Sequence, residues 1–219
     1  MNLRAAIVGV GGLGAPAAVA LAHVGAALSL FDPDRVELSN LPRQPAFGEA
    51  DLGEEKAECC ARRLRAEHTG LDVRAHVATI GRDNGAGLLG GHHVIVDATD
   101  GMTAKVLLND LALELGVPLV HAGVLGLDGQ LMTIVPRRSA CLRCLFVELP
   151  PEDEIPSCQQ AGILGPVVGA IGLAAAREAH AVLEDRSPPL ENRLAILNGA
   201  ALKWRQIALR RNPSCPRCT

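Results

Sequence analysis

The stretch Ala5-Ala6-Ile7-Val8-Gly9-Val10-Gly11-Gly12-Leu13-Gly14 decides the fold. Residues 5–10 form a short apolar run that ends in glycine, the pattern of a strand buried on both faces of a parallel sheet. Gly9, Gly11 and Gly14 keep the spacing GxGxxG, and the Ala-rich residues 12–24 are helical in character. In such a turn one glycine makes the bend, a second lets backbone approach a nucleotide, and a third lets helix and strand pack closely. The helix N-terminus favours anionic groups. Residues 28–31 are apolar again and end at Asp32, where a carboxylate can accept ribose hydroxyls. The first 32 residues thus predict a β-α-β unit for a nucleotide, and on these residues alone that nucleotide is NAD. The plain alternative is a tight turn with no ligand.

The same grammar continues outward. Residues 33–53 read as irregular, with three prolines, 54–68 as a charged amphipathic helix and 72–78 as a strand. Residues 93–96 are a strand ending at Asp97, 101–115 a helix and 118–122 a strand. Alternating helices and buried strands predict an α/β, Rossmann-like, doubly wound and mainly parallel sheet. After Gly123 the pattern changes. Gly126-Leu127-Asp128-Gly129 is a turn and 130–135 a strand, which together predict a hairpin. Residues 150–156 form an acidic, proline-bearing loop, 162–183 a long helix, and 193–197 with 203–209 a final antiparallel pair. The expected organisation is one domain over residues 1–219.

Composition narrows the function. Of 219 residues 48% are apolar but only 2% aromatic, so the core must be aliphatic. The net charge of -3 shows no basic excess, and nucleic acid is not an expected partner. The chain opens Met1-Asn2-Leu3-Arg4 straight into a strand-like run, and its longest apolar run, residues 161–176, is too short and Gly-rich for a membrane span. A soluble, cytoplasmic protein with no membrane partner is expected. Seven cysteines, four of them in two CxxC pairs, suggest metal rather than disulfides.

Residues downstream of the glycine turn shift the nucleotide from NAD to ATP. Asp32-Pro33-Asp34-Arg35-Val36-Glu37-Leu38-Ser39-Asn40-Leu41-Pro42-Arg43-Gln44 sets acid, amide and guanidinium groups beyond the sheet's carboxyl edge, where open α/β sheets bind ligands. Arg43 as a fork and Lys56 as a point charge together neutralise a polyphosphate. Either alone reads as a solvated surface cation. Asp97-Ala98-Thr99-Asp100 ends another strand at the same edge. Mg²⁺ is commonly held by one or two carboxylates plus substrate phosphates, and Asp100 is the candidate. Asp97 reads either as a second such carboxylate or as a helix-capping or structural acid.

Cys141-Leu142-Arg143-Cys144 and Cys215-Pro216-Arg217-Cys218 are two knuckles whose four thiolates match a closed, structural Zn²⁺ site. Two redox pairs are the alternative. Cys158, in the loop before the long helix, reads as a thiol activated by a helix N-terminus or as an inert cysteine. Cys59 and Cys60 read as core or spectator residues. Gly162, Gly165, Gly169 and Gly172 give the long helix a face for close packing against the sheet or a second subunit.

Taken together, these motifs resemble the ThiF/MoeB family, related to the ubiquitin-activating enzymes. The resemblance rests on GVGGLG (9–14), DPDRVELSNLPRQ (32–44), GEEK (53–56), DATDG (97–101), SCQQAGILGPVVG (157–169) and the two knuckles, and it covers nearly the whole chain in order. It implies adenylation of a small ubiquitin-fold carrier ending in Gly-Gly, whose carboxylate attacks the ATP α-phosphate. It gives Asp32 the ribose, Asn40, Arg43 and Lys56 the phosphates, and Asp100 the magnesium side. Gly9, Gly11, Gly12, Gly14, Asp34 and Gln44 complete the nucleotide site. It matches Cys158 to the loop cysteine that in some members links covalently to the carrier. Residues 1–125 become the nucleotide-binding part and 126–219 the zinc-bearing, carrier-binding part of a homodimer served by a separate sulfur donor.

Three departures from the family pattern stand out. Gly101 occupies a position often held by Asn. Lys105 lies five residues after Asp100, where the family frequently has Arg four residues later. Only Arg4 precedes the first strand, whereas family members commonly carry N-terminal helices with an arginine that reaches the partner subunit's ATP. Two rival readings follow. One is an NAD-dependent oxidoreductase, which leaves Arg43, Lys56 and the knuckles unexplained. The other is a non-catalytic module that holds a ubiquitin-like protein.

Overall fold

A computed structural model describes residues 3–146 and 162–218. Five strands, β1 (Arg4–Val8), β2 (Ala27–Phe31), β3 (Val73–His76), β4 (Val94–Asp97) and β5 (Leu119–Leu125), run parallel in the order β3-β2-β1-β4-β5. Three antiparallel strands, β6 (Asp128–Ile134), β7 (Arg193–Asn198) and β8 (Lys203–Ala208), extend the same sheet beyond β5. Strand direction changes where the connection becomes a hairpin. Leu125 pairs with Asp128, so Gly126 and Leu127 make a two-residue turn, and Gly126 takes a φ of +60° that suits glycine. The expected α/β architecture and its antiparallel extension are therefore both present.

The helices are α1 (Gly14–His23), α2 (Lys56–Glu67), α3 (Gly85–Leu89), α4 (Met102–Leu115), α5 (Leu142–Leu145) and α6 (Gly165–Leu183). Alternation along each strand divides the core into two layers. Ile7, Leu28, Leu30, Val96 and Val120 face α1 and α6. Ala6, Val8, Phe31, Ile95 and Leu119 face Leu108 and Leu111 of α4. Each layer is mostly aliphatic, with Phe47 in the first and Phe31 in the second, as the low aromatic content requires.

Two details differ from expectation. Residues 33–53 are not wholly irregular: they contain 3-10 turns at Leu38–Arg43 and Glu49–Asp51. Helix α3 is an added element, five residues long and too short to show an amphipathic period. The glycine face of α6 also has a specific use. A methyl at Gly172 would stand 3.2 Å from Pro16 Cβ and closer still to the Leu13 carbonyl, so glycine here lets α6 lie against α1. With 19 residues, α6 is long and apolar enough to cross a membrane by composition. Its Val167, Val168, Ile171, Ala175 and Ala179 are buried, the environment of a core helix.

Candidate functional site

The chain order leaves β1 in one direction towards β2 and in the other towards β4, so a crevice opens at the carboxyl ends of these two strands. A cleft of about 310 Å³ lies there, at the lower end of the roughly 300–1,000 Å³ typical of small-ligand sites. Gly9, Gly11 and Gly12 form one wall. Gly9 has a φ of +88°, and a methyl on it would stand 2.7 Å from the Ala98 carbonyl oxygen, so only glycine fits. Gly14 does not line the cleft. It sits beneath, where a side chain would run into the Gly9 carbonyl, the close helix–strand packing assigned to a third glycine.

Asp32 ends β2, only 5% exposed, and lines the cleft. Its Oδ2 accepts the Val10 N–H at 2.7 Å and its Oδ1 the Asp34 N–H at 2.9 Å, which ties the glycine turn to the next loop. Burial raises its carboxyl above the usual range, and the two N–H groups and Lys56 offset part of that. Lys56 stands at the start of α2 with its side chain buried, and its Nζ donates to the exposed Asp34 Oδ2 at 2.9 Å. Arg43 reaches the cleft from the first 3-10 turn, where its Nη1 donates to the Ser39 carbonyl at 2.7 Å.

Gln44 is buried against the cleft, and its Oε1 has no hydrogen-bond partner among the described residues. Asn40 is also buried and does not line the cleft. Its Nδ2 donates to Ser39 Oγ, while its Oδ1 is equally without a partner. Buried acceptors left unpaired are costly, and Gln44 Oε1, in the cleft wall, is one that a hydrogen-bond donor on a ligand can pair. Asp100 is exposed and faces the cleft from the opposite wall, after β4. The glycines, Asp32, Asp34, Arg43, Gln44, Lys56 and Asp100, drawn from four separate chain segments, thus meet around one space.

The structure decides between the two readings of Asp97. It is fully buried, and its Oδ1 accepts from the Thr99 backbone N–H at 3.1 Å and the Thr99 hydroxyl at 2.7 Å. Lys105 Nζ donates to both its oxygens, at 3.3 and 3.2 Å, and to the Ala122 carbonyl at 2.6 Å. His121 Nδ1 donates to Oδ2 at 2.8 Å. Burial pushes the carboxyl up, but Lys105, His121 and Thr99 outweigh that and hold it at about 2. Burial and Lys105 lower His121, against the pull of Asp97, so the imidazole is neutral at pH 7. Asp97 is a structural acid that shapes the turn presenting Asp100. Sequence reasoning missed His121 and the pairing of Lys105. The available signal was a histidine and a lysine set in otherwise apolar runs beside that acid.

The four knuckle cysteines converge, with all their sulfurs within 4.8 Å of one another. Sγ separations of 3.9 Å for Cys141–Cys144, 3.7 Å for Cys141–Cys215 and 3.3 Å for Cys144–Cys218 approach the spacing of about 3.8 Å that four thiolates take around a tetrahedral ion with bonds near 2.3 Å. A donor set of four thiolates, three of them buried, fits Zn²⁺. The intervening arginines anchor the knuckles to α4. Arg143 makes two bonds of 2.8 Å to the buried Asp110, and Arg217 reaches Asp110 at 3.3 Å and Glu114 at 3.2 Å. Neighbouring Asn109 accepts the Leu142 N–H at 2.9 Å. Cys158 lies outside the described residues.

Comparison with known proteins agrees with this geometry. The ThiF family model matches residues 1–217. The SAMP-activating enzyme E1 of Haloferax volcanii is 37% identical over 219 residues, covering 100% of this chain and 81% of that protein. The sulfur carrier protein adenylyltransferase of Thermus thermophilus is 35% identical over 218 residues, covering 97% and 80%. The adenylyltransferase and sulfurtransferase MOCS3 of Anopheles gambiae is 36% identical, but this chain spans only 49% of its length. Crystalline MccB of E. coli shares the fold with a TM-score of 0.87 at 21% identity, over 99% of this chain and 65% of that one. The names of these relatives agree with a nucleotidyltransferase. With a family model over nearly its whole length and relatives matched along theirs, the chain belongs to the ThiF family.

Proposed function

We propose that the chain is an ATP-dependent adenylyltransferase that activates the C-terminal Gly-Gly carboxylate of a small ubiquitin-like, ThiS/MoaD-type sulfur carrier. The observation that carries this reading is the gathering of two phosphate-type cations, Arg43 and Lys56, with the glycine turn and Asp32 around one cleft. The NAD reading leaves those cations unexplained. Asp32 takes the ribose hydroxyls. Arg43 and Lys56 hold the phosphates, with Asp34 releasing Lys56 to them and Gln44 alongside, while Asn40, outside the cleft wall, supports the turn that carries Arg43 through its bond to Ser39. A carrier carboxylate oxygen bonds to the α-phosphorus, the bond from that phosphorus to the β-bridging oxygen breaks, and pyrophosphate leaves with the electron pair. The chain's part is to position the reactants and neutralise charge that grows on the leaving pyrophosphate.

Asp100 would hold Mg²⁺, which when bound neutralises phosphate charge. The four cysteines would hold Zn²⁺ in a closed, non-catalytic site that fastens the C-terminus to α4. Residues 1–125 serve the nucleotide and 126–219 the carrier and zinc, within one adenylation domain that works as a cytoplasmic homodimer. The Cys158 thiolate then bonds to the carrier's adenylated carbonyl carbon as the carbon–oxygen bond to AMP breaks and AMP leaves with the electron pair, giving a thioester, and sulfur comes from a separate donor protein. The relatives named for SAMP and sulfur-carrier activation support this choice of substrate class.

ATP–pyrophosphate exchange tests the reading, with a ubiquitin-fold protein ending in Gly-Gly as the acceptor. Exchange should require both that protein and Mg²⁺. Saturable NADH binding without ATP binding would instead indicate an oxidoreductase. Carrier binding without exchange would indicate a non-catalytic module.

A further inference from the structure

The buried group around Asp97 does more than fill the sheet. Asp97 and His121 are register partners on β4 and β5, so both side chains emerge on the face covered by α4, where Lys105 meets them. Lys105 is 5% exposed and also lines the cleft. Its ammonium has three acceptors already: both Asp97 oxygens and the Ala122 carbonyl. It is therefore committed to protein partners and is poorly placed to become another phosphate ligand. On the far side, His121 Nε2 accepts from Gln130 Nε2 at 3.4 Å, which ties the group to β6.

The turn at residues 98–100 is the product of these bonds. Asp97 Oδ1 holds Thr99 by its N–H and its hydroxyl, the Ala98 N–H donates to the Val8 carbonyl at 2.9 Å, and the bare α-carbon of Gly9 lies against the Ala98 carbonyl. Asp100 follows immediately and has no bond of this kind to fix it among the described residues. Its place beside the cleft is set by the turn, and the turn is set by how Asp97 is held. Among the described residues, two groups orient that carboxylate from beyond both its strand and the turn it holds: the Lys105 ammonium and the His121 Nδ1–H.

We propose that Lys105 and His121 are positioning residues that hold the Asp97 turn so that Asp100 is presented to the metal–phosphate end of the bound nucleotide, an inference that rests on the ATP reading of the cleft. The segments carrying Asp32, Arg43 and Lys56 are separate from this turn, so losing the support should affect the metal-dependent part of nucleotide binding alone.

Calorimetric titration with ATP, once in excess Mg²⁺ and once in EDTA, tests this directly. Wild-type protein should bind ATP at least about tenfold more tightly with Mg²⁺ than in EDTA, and Asp100→Asn should lose most of that gain. Lys105→Met and His121→Leu should behave like Asp100→Asn, with affinity in EDTA within about threefold of wild type. His121→Asn keeps an N–H donor near the Nδ1 position and should keep the gain. Equal weakening in both media, an unchanged gain in Lys105→Met and His121→Leu, or a His121→Asn protein that behaves like His121→Leu would overturn the proposal. If Lys105→Met does not fold, the two His121 substitutions decide. Wild-type protein that binds no ATP overturns the ATP reading itself, and the positioning role with it.

Discussion

Lys56 Nζ lies 2.9 Å from Asp34 Oδ2, a pair in which the ammonium side chain is 8% exposed and the carboxylate 65%. The cation is the buried member, and its partner can rotate into solvent at little cost. An ion pair of this kind is easily exchanged for a phosphate that reaches the ammonium inside the cleft. Lys56→Met should therefore lower kcat/KM for pyrophosphate exchange by about 100-fold, or roughly 2.7 kcal/mol at 1.36 kcal/mol per decade. Steady-state kinetics would show it, and a Met variant within about threefold of wild type would remove Lys56 from the phosphate site.

Asp97 should give the protein an acid-sensitive component of stability. Its carboxyl is held at about 2 in the fold against 3.8 in an unfolded reference, so the fold favours the ionised form. That contribution is complete above the unfolded value and is lost as pH falls from about 4 towards 2. Its size is about 2 kcal/mol, taking 1.36 kcal/mol per unit. Urea denaturation at several pH values would measure it. The stability gap between wild type and Asp97→Asn should narrow by about that amount between pH 5 and pH 2, and a constant gap would contradict the assignment.

The knuckles should contain one zinc per chain. Cys215→Ser should abolish it and destabilise the fold by at least about 2 kcal/mol, because a structural metal's binding energy is also folding energy. The cleft proposed for ATP contains none of the four cysteines, so ATP affinity per folded molecule should change little. Metal analysis together with thermal denaturation checks both parts. Unaltered zinc content in the serine variant would refute the four-cysteine site.

Cys158 should separate adenylation from any later covalent step. Cys158→Ala should leave pyrophosphate exchange within about twofold of wild type and eliminate a carrier adduct, since adenylate formation uses no protein nucleophile. Mass spectrometry of the reaction mixture reads the adduct. An adduct that survives the substitution excludes this cysteine.

Much of the cleft was legible in the chain because its groups follow local rules. Gly9 and Gly14 obey a backbone requirement, positive φ or a missing side chain, that leaves a mark in residue type. Asp32 sits at the end of an apolar run, and strand ends in a parallel sheet share one edge, so the run itself predicts the placement. Arg43, Gln44 and Lys56 are close enough in sequence to Asp32 to arrive with it. Asn40 shows the limit of this reasoning, since it lies behind the cleft rather than in its wall.

The sequence by itself determined the alternation of strands and helices, the glycine turn, the acid that follows β2 and the two cysteine knuckles, because each depends on period, spacing or residue type over a short span. Only the tertiary structure decided what Asp97 does. Its partners Lys105 and His121 stand 8 and 24 residues away, and nothing in either local pattern names the other. The same holds for Asp110, buried by arginines 33 and 107 residues downstream, at 143 and 217. A buried charge must find its counter-charge wherever packing brings one within reach. That choice belongs to the arrangement of elements in space and leaves no periodic trace along the chain.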